Sequence, residues 1–239
     1  THYLFLLVLL FYNIVPGILS HCLLLCISIH SYNTLLICFS KSVIHDLNFT
    51  NMKKQFFFLL CAVLVSMSLY AQTNISANIS SNTTLTVANS PYVVTNSIEV
   101  NPGITLTVQS GVEIRFNAGV YLHVRGTLSA TGAKFTANGS TNKGFWDGIY
   151  VSYEYYENGS VTLDNCNVEY ASNIYIRKGQ LTLKNSTINN FSGYGVQVSS
   201  VSTLNIDNST IKNTNYPIYF YGPGQMTVGS NVLLTGNAN

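Results

Sequence analysis

Two short motifs return together at one shared period, and that period constrains the fold of this chain more than any other feature. The first reads Val161-Thr-Leu-Asp-Asn-Cys-Asn-Val168. It returns as Leu181-Thr-Leu-Lys-Asn-Ser-Thr-Ile188 and as Leu204-Asn-Ile-Asp-Asn-Ser-Thr-Ile211, and a shorter copy begins at Met226-Thr-Val228. Leu163, Leu183, Ile206 and Val228 thus follow one another at nearly equal steps. The second motif reads Ile149-Tyr-Val151, Ile174-Tyr-Ile176, Val196-Gln-Val198 and Ile218-Tyr-Phe220, and its steps match those of the first. Every copy alternates apolar and polar side chains, the pattern of a strand with one buried face. Gly, Asn and Ser separate the copies. A single unit of this kind cannot bury its own apolar face, whereas a stack of units can.

The period also fits a leucine-rich repeat, but that architecture lacks the second strand and returns through a helical arm. No helical periodicity follows Ala71. The expected fold is therefore all-β: a single-stranded right-handed parallel β-helix, a solenoid of three short strands per coil. Stacked strands lie about 4.8 Å apart, so each inward residue meets its equivalent above and below. Ile98-Glu-Val100, Leu106-Thr-Val108, Ile114-Arg-Phe116, Leu122-His-Val124 and Leu128-Ser-Ala130 read as earlier coils, so the solenoid covers residues 98–239. Residues 72–97 are expected to cap its first strand edges. Val232–Asn239 stops within a coil, which is the pattern of a truncated solenoid. Asn165, Asn185 and Asn208 occupy one place after the strand of the first motif. Asparagine tolerates the left-handed backbone of a sharp corner, and stacked asparagines can hydrogen-bond along the axis. This structural ladder accounts for them, although Asn185-Ser-Thr and Asn208-Ser-Thr also match the N-glycosylation pattern.

Residues 1–71 have a different composition, dense in Leu, Ile, Phe and Cys. Met52-Lys-Lys-Gln55 is a basic start, Phe56–Val65 is an unbroken apolar run, and Ala71 is a small residue before Gln72. That is the three-part layout of a secretory signal peptide over residues 52–71. Its apolar core is shorter than the roughly 20 residues of a membrane span. Leu69, at the third position before the cut, is larger than such sites prefer. Residues 1–51 precede the first methionine and read as translated upstream sequence. As protein structure they would form two hydrophobic helices, within Leu4–Val15 and Ile18–Phe39. Cys22 and Cys26 have no partners at zinc spacing.

Ser90-Pro-Tyr-Val-Val94, Val100-Asn-Pro-Gly-Ile-Thr-Leu-Thr-Val108, Gly111-Val-Glu-Ile-Arg-Phe116, Leu122-His-Val-Arg-Gly-Thr-Leu128 and Phe145-Trp-Asp-Gly-Ile149 resemble the opening coils of bacterial secreted right-handed β-helix repeat proteins, pectin-lyase-like in architecture. The resemblance spans roughly residues 82–239 and is specific for fold. It implies a group that holds polysaccharide lyases and hydrolases beside surface proteins of no assigned role, often with a carboxy-terminal sorting domain. Fold alone licenses no activity.

Charge narrows the partners. After Ala71 the acids are Glu99, Glu113, Asp147, Glu154, Glu157, Asp164, Glu169 and Asp207, and the bases are Arg115, Arg125, Lys134, Lys143, Arg177, Lys178, Lys184 and Lys212, eight against eight. No basic face serves phosphate, so nucleic acid is not an expected partner. An anionic membrane surface is not expected either, and the membrane enters only through the export signal. Four of the five cysteines precede Gln72, so Cys166 has no intrachain disulfide partner beyond that point.

The carboxylates nearest to a hydrolytic pair are Asp164 and Asp207, which share an outward position with Lys184 between them. Two strand spacings separate them by on the order of 10 Å, near the upper end of the inverting range. The arrangement also reads as an Asp–Lys–Asp ladder of charge pairs. His123 lies outward with no evident partner, and Arg177-Lys178 reads as solvated charge in a turn. Outward Thr107, Thr162, Thr182 and Thr227 form a file that Asn205 breaks, with no strand showing a doubled Thr row, which argues against an ice-binding array. No nucleophile motif, metal cluster or cofactor motif is present.

The aromatic pattern is the strongest candidate for a binding surface. Tyr150, Tyr175 and Tyr219 share one outward file with Gln197, the loop residues Tyr153 and Tyr155 project beside Tyr150, and Tyr194 and Tyr221 flank later coils. Four stacked positions span on the order of 15 Å. Tyrosine faces suit stacking on pyranose rings, although tyrosine also favours strands for structural reasons. Two functions follow as expectations. One is a non-catalytic secreted or cell-surface module that binds a polysaccharide or cell-surface glycan through this file. The other is a polysaccharide lyase or glycoside hydrolase whose active site lies outside this sequence. Expression from Met52 should yield a secreted product beginning near Gln72 by mass spectrometry. An intact amino terminus at Thr1 in the native protein would contradict this reading of the segment before Gln72.

Overall fold

The computed structural model describes residues 6–9, 22–28, 34–40, 72–152, 158–199 and 201–236. Met52–Ala71, Tyr153 and Tyr155 lie outside the described residues. The chain divides into two units, Thr1–Ser68 and Leu69–Asn239. In the first, Leu6–Leu9, Cys22–Ser28 and Thr34–Ser40 form a three-stranded antiparallel sheet in chain order. This corrects the expectation of two hydrophobic helices over these residues. Continuous apolar runs of this length have no periodicity that separates strand from helix.

The second unit is a parallel β-solenoid of seven coils, with three sheets running along its length. The first sheet has six strands, Ile98–Val100, Tyr121–Val124, Trp146–Val151, Ala171–Ile176, Tyr194–Ser199 and Tyr216–Tyr221. The second has seven, Thr83–Leu85, Thr105–Val108, Thr127–Thr131, Gly159–Asp164, Gly179–Lys184, Ser202–Asp207 and Gln225–Val228. The third has eight, Thr73–Ile75, Tyr92–Val94, Glu113–Phe116, Lys134–Ala137, Asn167–Glu169, Thr187–Asn189, Thr210–Lys212 and Leu233–Thr235. Residues 73–94 cover the first full coil by winding as one more. Thr83–Leu85 pairs with Leu106–Val108, Tyr92–Val94 pairs with Ile114–Phe116, and Ile79 bridges Val100.

Both repeat ladders hold their register. Leu163, Leu183, Ile206 and Val228 are successive partners, as are Ile149, Ile174, Val196 and Ile218. The inward files are mostly aliphatic, with Phe116, Phe135 and Trp146 among them, and from Val100 to Ile211 they are almost wholly buried. Trp146 lies flat on Phe116 with ring centroids 3.9 Å apart, and its Nε1–H donates to the Glu169 carbonyl at 2.8 Å. A buried indole needs such an acceptor. In the last coil the inward Met226, Val228 and Leu234 are exposed.

The corner between the second and third sheets is left-handed in coil after coil, at Gly111, Gly132, Asn165, Asn185, Asn208 and Asn231. Only glycine and asparagine enter that region routinely. The corner amides bond along the axis: Asn165 N–H donates to the Lys184 carbonyl, Asn185 N–H to that of Asp207, and Asn208 N–H to that of Ser230. The side chains follow, with Asn208 Nδ2 donating to Asn185 Oδ1 at 2.6 Å and Asn185 Nδ2 to Asp164 Oδ1 at 2.8 Å. The amide ladder thus ends on Asp164. Beneath it, buried Ser186 Oγ accepts from Cys166 N–H and Ser209 Oγ accepts from Ser186 N–H, so these two turn amides are satisfied within the corner. Asn185→Ala places a Cβ residue without amide bonds in the left-handed region, and should lower unfolding stability by about 2 kcal/mol. Asn185→Gly should lose about half of that in the same urea titration, because the backbone stays unstrained.

Candidate functional site

The outward face of the first sheet carries one continuous file: Glu99, His123, Tyr150, Tyr175, Gln197 and Tyr219 are successive register partners. The structure therefore brings together Tyr150, Tyr175, Gln197 and Tyr219, as the repeat predicts. It also adds residues that alternation alone does not place. Tyr121 sits edge-on to Tyr150, ring centroids 5.2 Å apart, and Tyr150 sits edge-on to Tyr175 at 6.2 Å. Further along the axis, Tyr194 stacks on Tyr219 at 4.7 Å and on Tyr216 at 5.4 Å. Both geometries are the favoured ones for aromatic pairs. Where the two clusters meet, Asn173 on the strand of Tyr175 donates from Nδ2 to Oε1 of Gln197, on the strand of Tyr194, at 3.5 Å.

Strict alternation would send Tyr194 and Tyr216 inward, because each stands two positions before an inward side chain, Val196 and Ile218. Gly195 breaks the phase. It is buried beside Val196, and a Cβ there would lie 2.5 Å from Ile211 Cγ2 and from the Pro217 carbonyl oxygen. A residue without a side chain lets two consecutive positions face the core and frees Tyr194 for the outer face. Gly148 does the same in an earlier coil, at φ +118 and hard against the Asn173 carbonyl. Tyr121, Tyr216 and Tyr219 remain 39%, 43% and 37% exposed, so their rings are open to a ligand.

His123 has a partner, contrary to the sequence expectation. Its Nδ1 lies 3.5 Å from Glu99 Oε2, and Arg125 Nη1 donates to Glu99 Oε1 at 2.8 Å. The register of the preceding coil places Glu99 opposite His123, which a search for local partners does not reveal. The group anchors one end of the tyrosine file.

The carboxylate candidates are engaged in the corners. Asp164 accepts from Asn185, and Asp207 Oδ1 accepts from the Ser230 backbone N–H at 2.8 Å. Lys184 stands between them in register, yet among the described residues it forms no ion pair with either, which corrects the expected Asp–Lys–Asp charge ladder. The corner amides reach these carboxylates first. The third sheet carries charge pairs that the repeat did not single out: Arg115 with Glu113 at 2.8 Å, and Lys134 with Glu169 at 3.2 Å. These pairs are partly exposed and contribute little. Among the described residues, no three of His, Cys, Asp or Glu gather to hold a metal.

The second sheet also differs from expectation. Thr105 and Thr107 both face outward, followed by Thr127 with Ser129 and Ser160 with Thr162, so a doubled hydroxyl row does exist. Gln180, Asn205 and Gln225 interrupt it in later coils.

No protein-family profile, no curated relative and no solved structure matches this chain.

Cys166 is buried, and that burial pushes its thiol above the ordinary value, offset in part by backbone hydrogen bonds. The folded chain holds this proton more tightly than the unfolded one. Its contribution to stability is therefore full below the ordinary thiol pKa and falls as pH rises past it. At neutral pH the thiol should resist a disulfide reagent in the folded protein and react within seconds in denaturant. Rapid modification of folded protein would contradict the buried corner.

Proposed function

We propose that this chain is a secreted or cell-surface β-helix repeat protein that binds glycan through the outer face of its first sheet, without cleaving it. One observation carries the reading: two clusters of contacting tyrosines meet at an amide pair on a single outer face. Tyrosine offers a flat apolar ring for the C–H face of a pyranose and a hydroxyl for its edge. Amides add donors and acceptors without charge. The strands from Tyr121 to Ser199 are paired on both sides, so Tyr121, Tyr150, Tyr175 and Tyr194 sit on a pre-formed platform and binding there orders little backbone.

The basic start, apolar run and closing small residue of Met52–Ala71 support export. Hydrolysis by the Asp164–Asp207 pair is the less supported reading, because both carboxylates accept hydrogen bonds from corner groups. Binding and product release on a polysaccharide panel test the proposal, comparing the protein with a variant carrying Tyr150→Ala, Tyr175→Ala and Tyr219→Ala. Affinity for at least one polysaccharide should fall at least about tenfold in the variant, at about 0.5–1.5 kcal/mol for each aromatic contact. No new reducing or unsaturated ends should appear. Cleavage products, or a folded protein that binds nothing on the panel, would overturn the proposal.

A further inference from the structure

We infer that the ligand of the tyrosine face is a neutral, linear glycan in an extended conformation, lying along the solenoid axis so that one chain touches both tyrosine clusters. The inference rests on the glycan-binding reading above and adds the ligand's charge, shape and direction.

Direction follows from the register. Tyr121, Tyr150 and Tyr175 lie on three successive strands of the first sheet, with Asn173 on the strand of Tyr175; Gln197 and Tyr194 share the next strand, and Tyr216 and Tyr219 lie on the last. The clusters are thus displaced from each other along the axis rather than across the strands. From Tyr150 to Tyr219 there are three strand spacings, about 14 Å. A ligand crossing the strands would meet one cluster only. A ligand running along the axis meets Tyr150 and Tyr175, then Gln197, then Tyr219. The strand spacing of about 4.8 Å is close to the advance of one hexopyranose unit in an extended chain, so successive sugars can meet equivalent places on successive coils.

The amide pair has capacity in reserve. The Asn173–Gln197 hydrogen bond is at the long limit, 3.5 Å, and Asn173 Oδ1 has no hydrogen-bond partner although it is buried. An unpaired buried acceptor is costly. A sugar hydroxyl arriving where the clusters meet supplies the donor that Asn173 lacks once the long amide bond yields. This is a polar contact placed between two apolar ones, matched to a ring with hydroxyls on its edge.

Charge selects a neutral ligand. The side chains at the ring contacts and between them are tyrosine and amide. At the end of the file Glu99 already holds Arg125 and His123. Arg177 and Lys178, at the corner after Tyr175, are engaged by other groups as well. A polyuronate would therefore have to displace existing partners to find a cation, whereas a neutral glycan displaces only water.

The test uses the full chain and calorimetric titration with disaccharides and hexasaccharides derived from cellulose, xylan, mannan and chitin, with a galacturonate hexasaccharide as the anionic comparison. At least one neutral hexasaccharide should bind tenfold or more tightly than its own disaccharide, with little change between low and high salt. Tyr150→Ala and Tyr219→Ala should each weaken the hexasaccharide about fivefold or more, and the double variant should bind it no better than the disaccharide. Thermal melts of each variant establish that it is folded. A disaccharide that binds as tightly as the hexasaccharide would overturn the axial placement. Binding of galacturonate alone, lost at high salt, would overturn the neutral ligand. Either result leaves a glycan-binding face standing, while a folded protein that binds none of these sugars takes down both readings.

Discussion

Everything in the solenoid depends on one constraint: each coil must lie in register on the coil before it. Parallel pairing from strand to strand supplies the backbone hydrogen bonds, and the same register sets each inward side chain over its equivalent. Val161 over Leu181 over Leu204 and Ile149 over Ile174 over Val196 are two views of that constraint. The corners obey it too. The left-handed glycines and asparagines between the second and third sheets turn the chain at the same angular position in successive coils, and their amides bond to the next coil. A slip of one position would expose the aliphatic files and bury the polar ones.

The same register builds the outer surface. Side chains that alternate outward on one strand are stacked on those of the next, so a residue type repeated at the period becomes a file. Tyrosine repeated on the first sheet gives ring-to-ring contacts, asparagine repeated in the corner gives an amide ladder, and threonine and serine on the second sheet give hydroxyl rows. These are three consequences of one geometry. Among the described residues, the tyrosine face joins open rings to an amide with an unsatisfied acceptor, and it therefore carries the functional proposal.

Much of this is legible in the sequence because periodicity is a property of the sequence itself. The two ladders place Tyr150, Tyr175, Gln197 and Tyr219 in one file and put Asn165, Asn185 and Asn208 at one corner, and both placements hold. What escapes depends on departures from the period. Tyr194 faces outward because Gly195 lets its strand run out of phase, an effect of steric room that an alternating pattern does not encode, and Tyr216 stands in register beside it. His123 meets Glu99 through a coil whose step to the next belongs to neither ladder. The register sets Lys184 between Asp164 and Asp207, but neighbouring corner groups reach those carboxylates first. In the first unit, the apolar runs Cys22–Ser28 and Thr34–Ser40 form strands rather than helices, because nothing in an unbroken apolar run sets its period.

The central claim is that coil-on-coil register gathers the tyrosines on one face, and nuclear Overhauser contacts in methyl- and tyrosine-labelled protein test it most directly. The account predicts a continuous methyl chain from Ile149 through Ile174 and Val196 to Ile218, together with ring contacts joining Tyr150 to Tyr175 and Tyr194 to Tyr219. Methyl contacts displaced by one position along any of these strands, or tyrosine rings with no contact between coils, would contradict it.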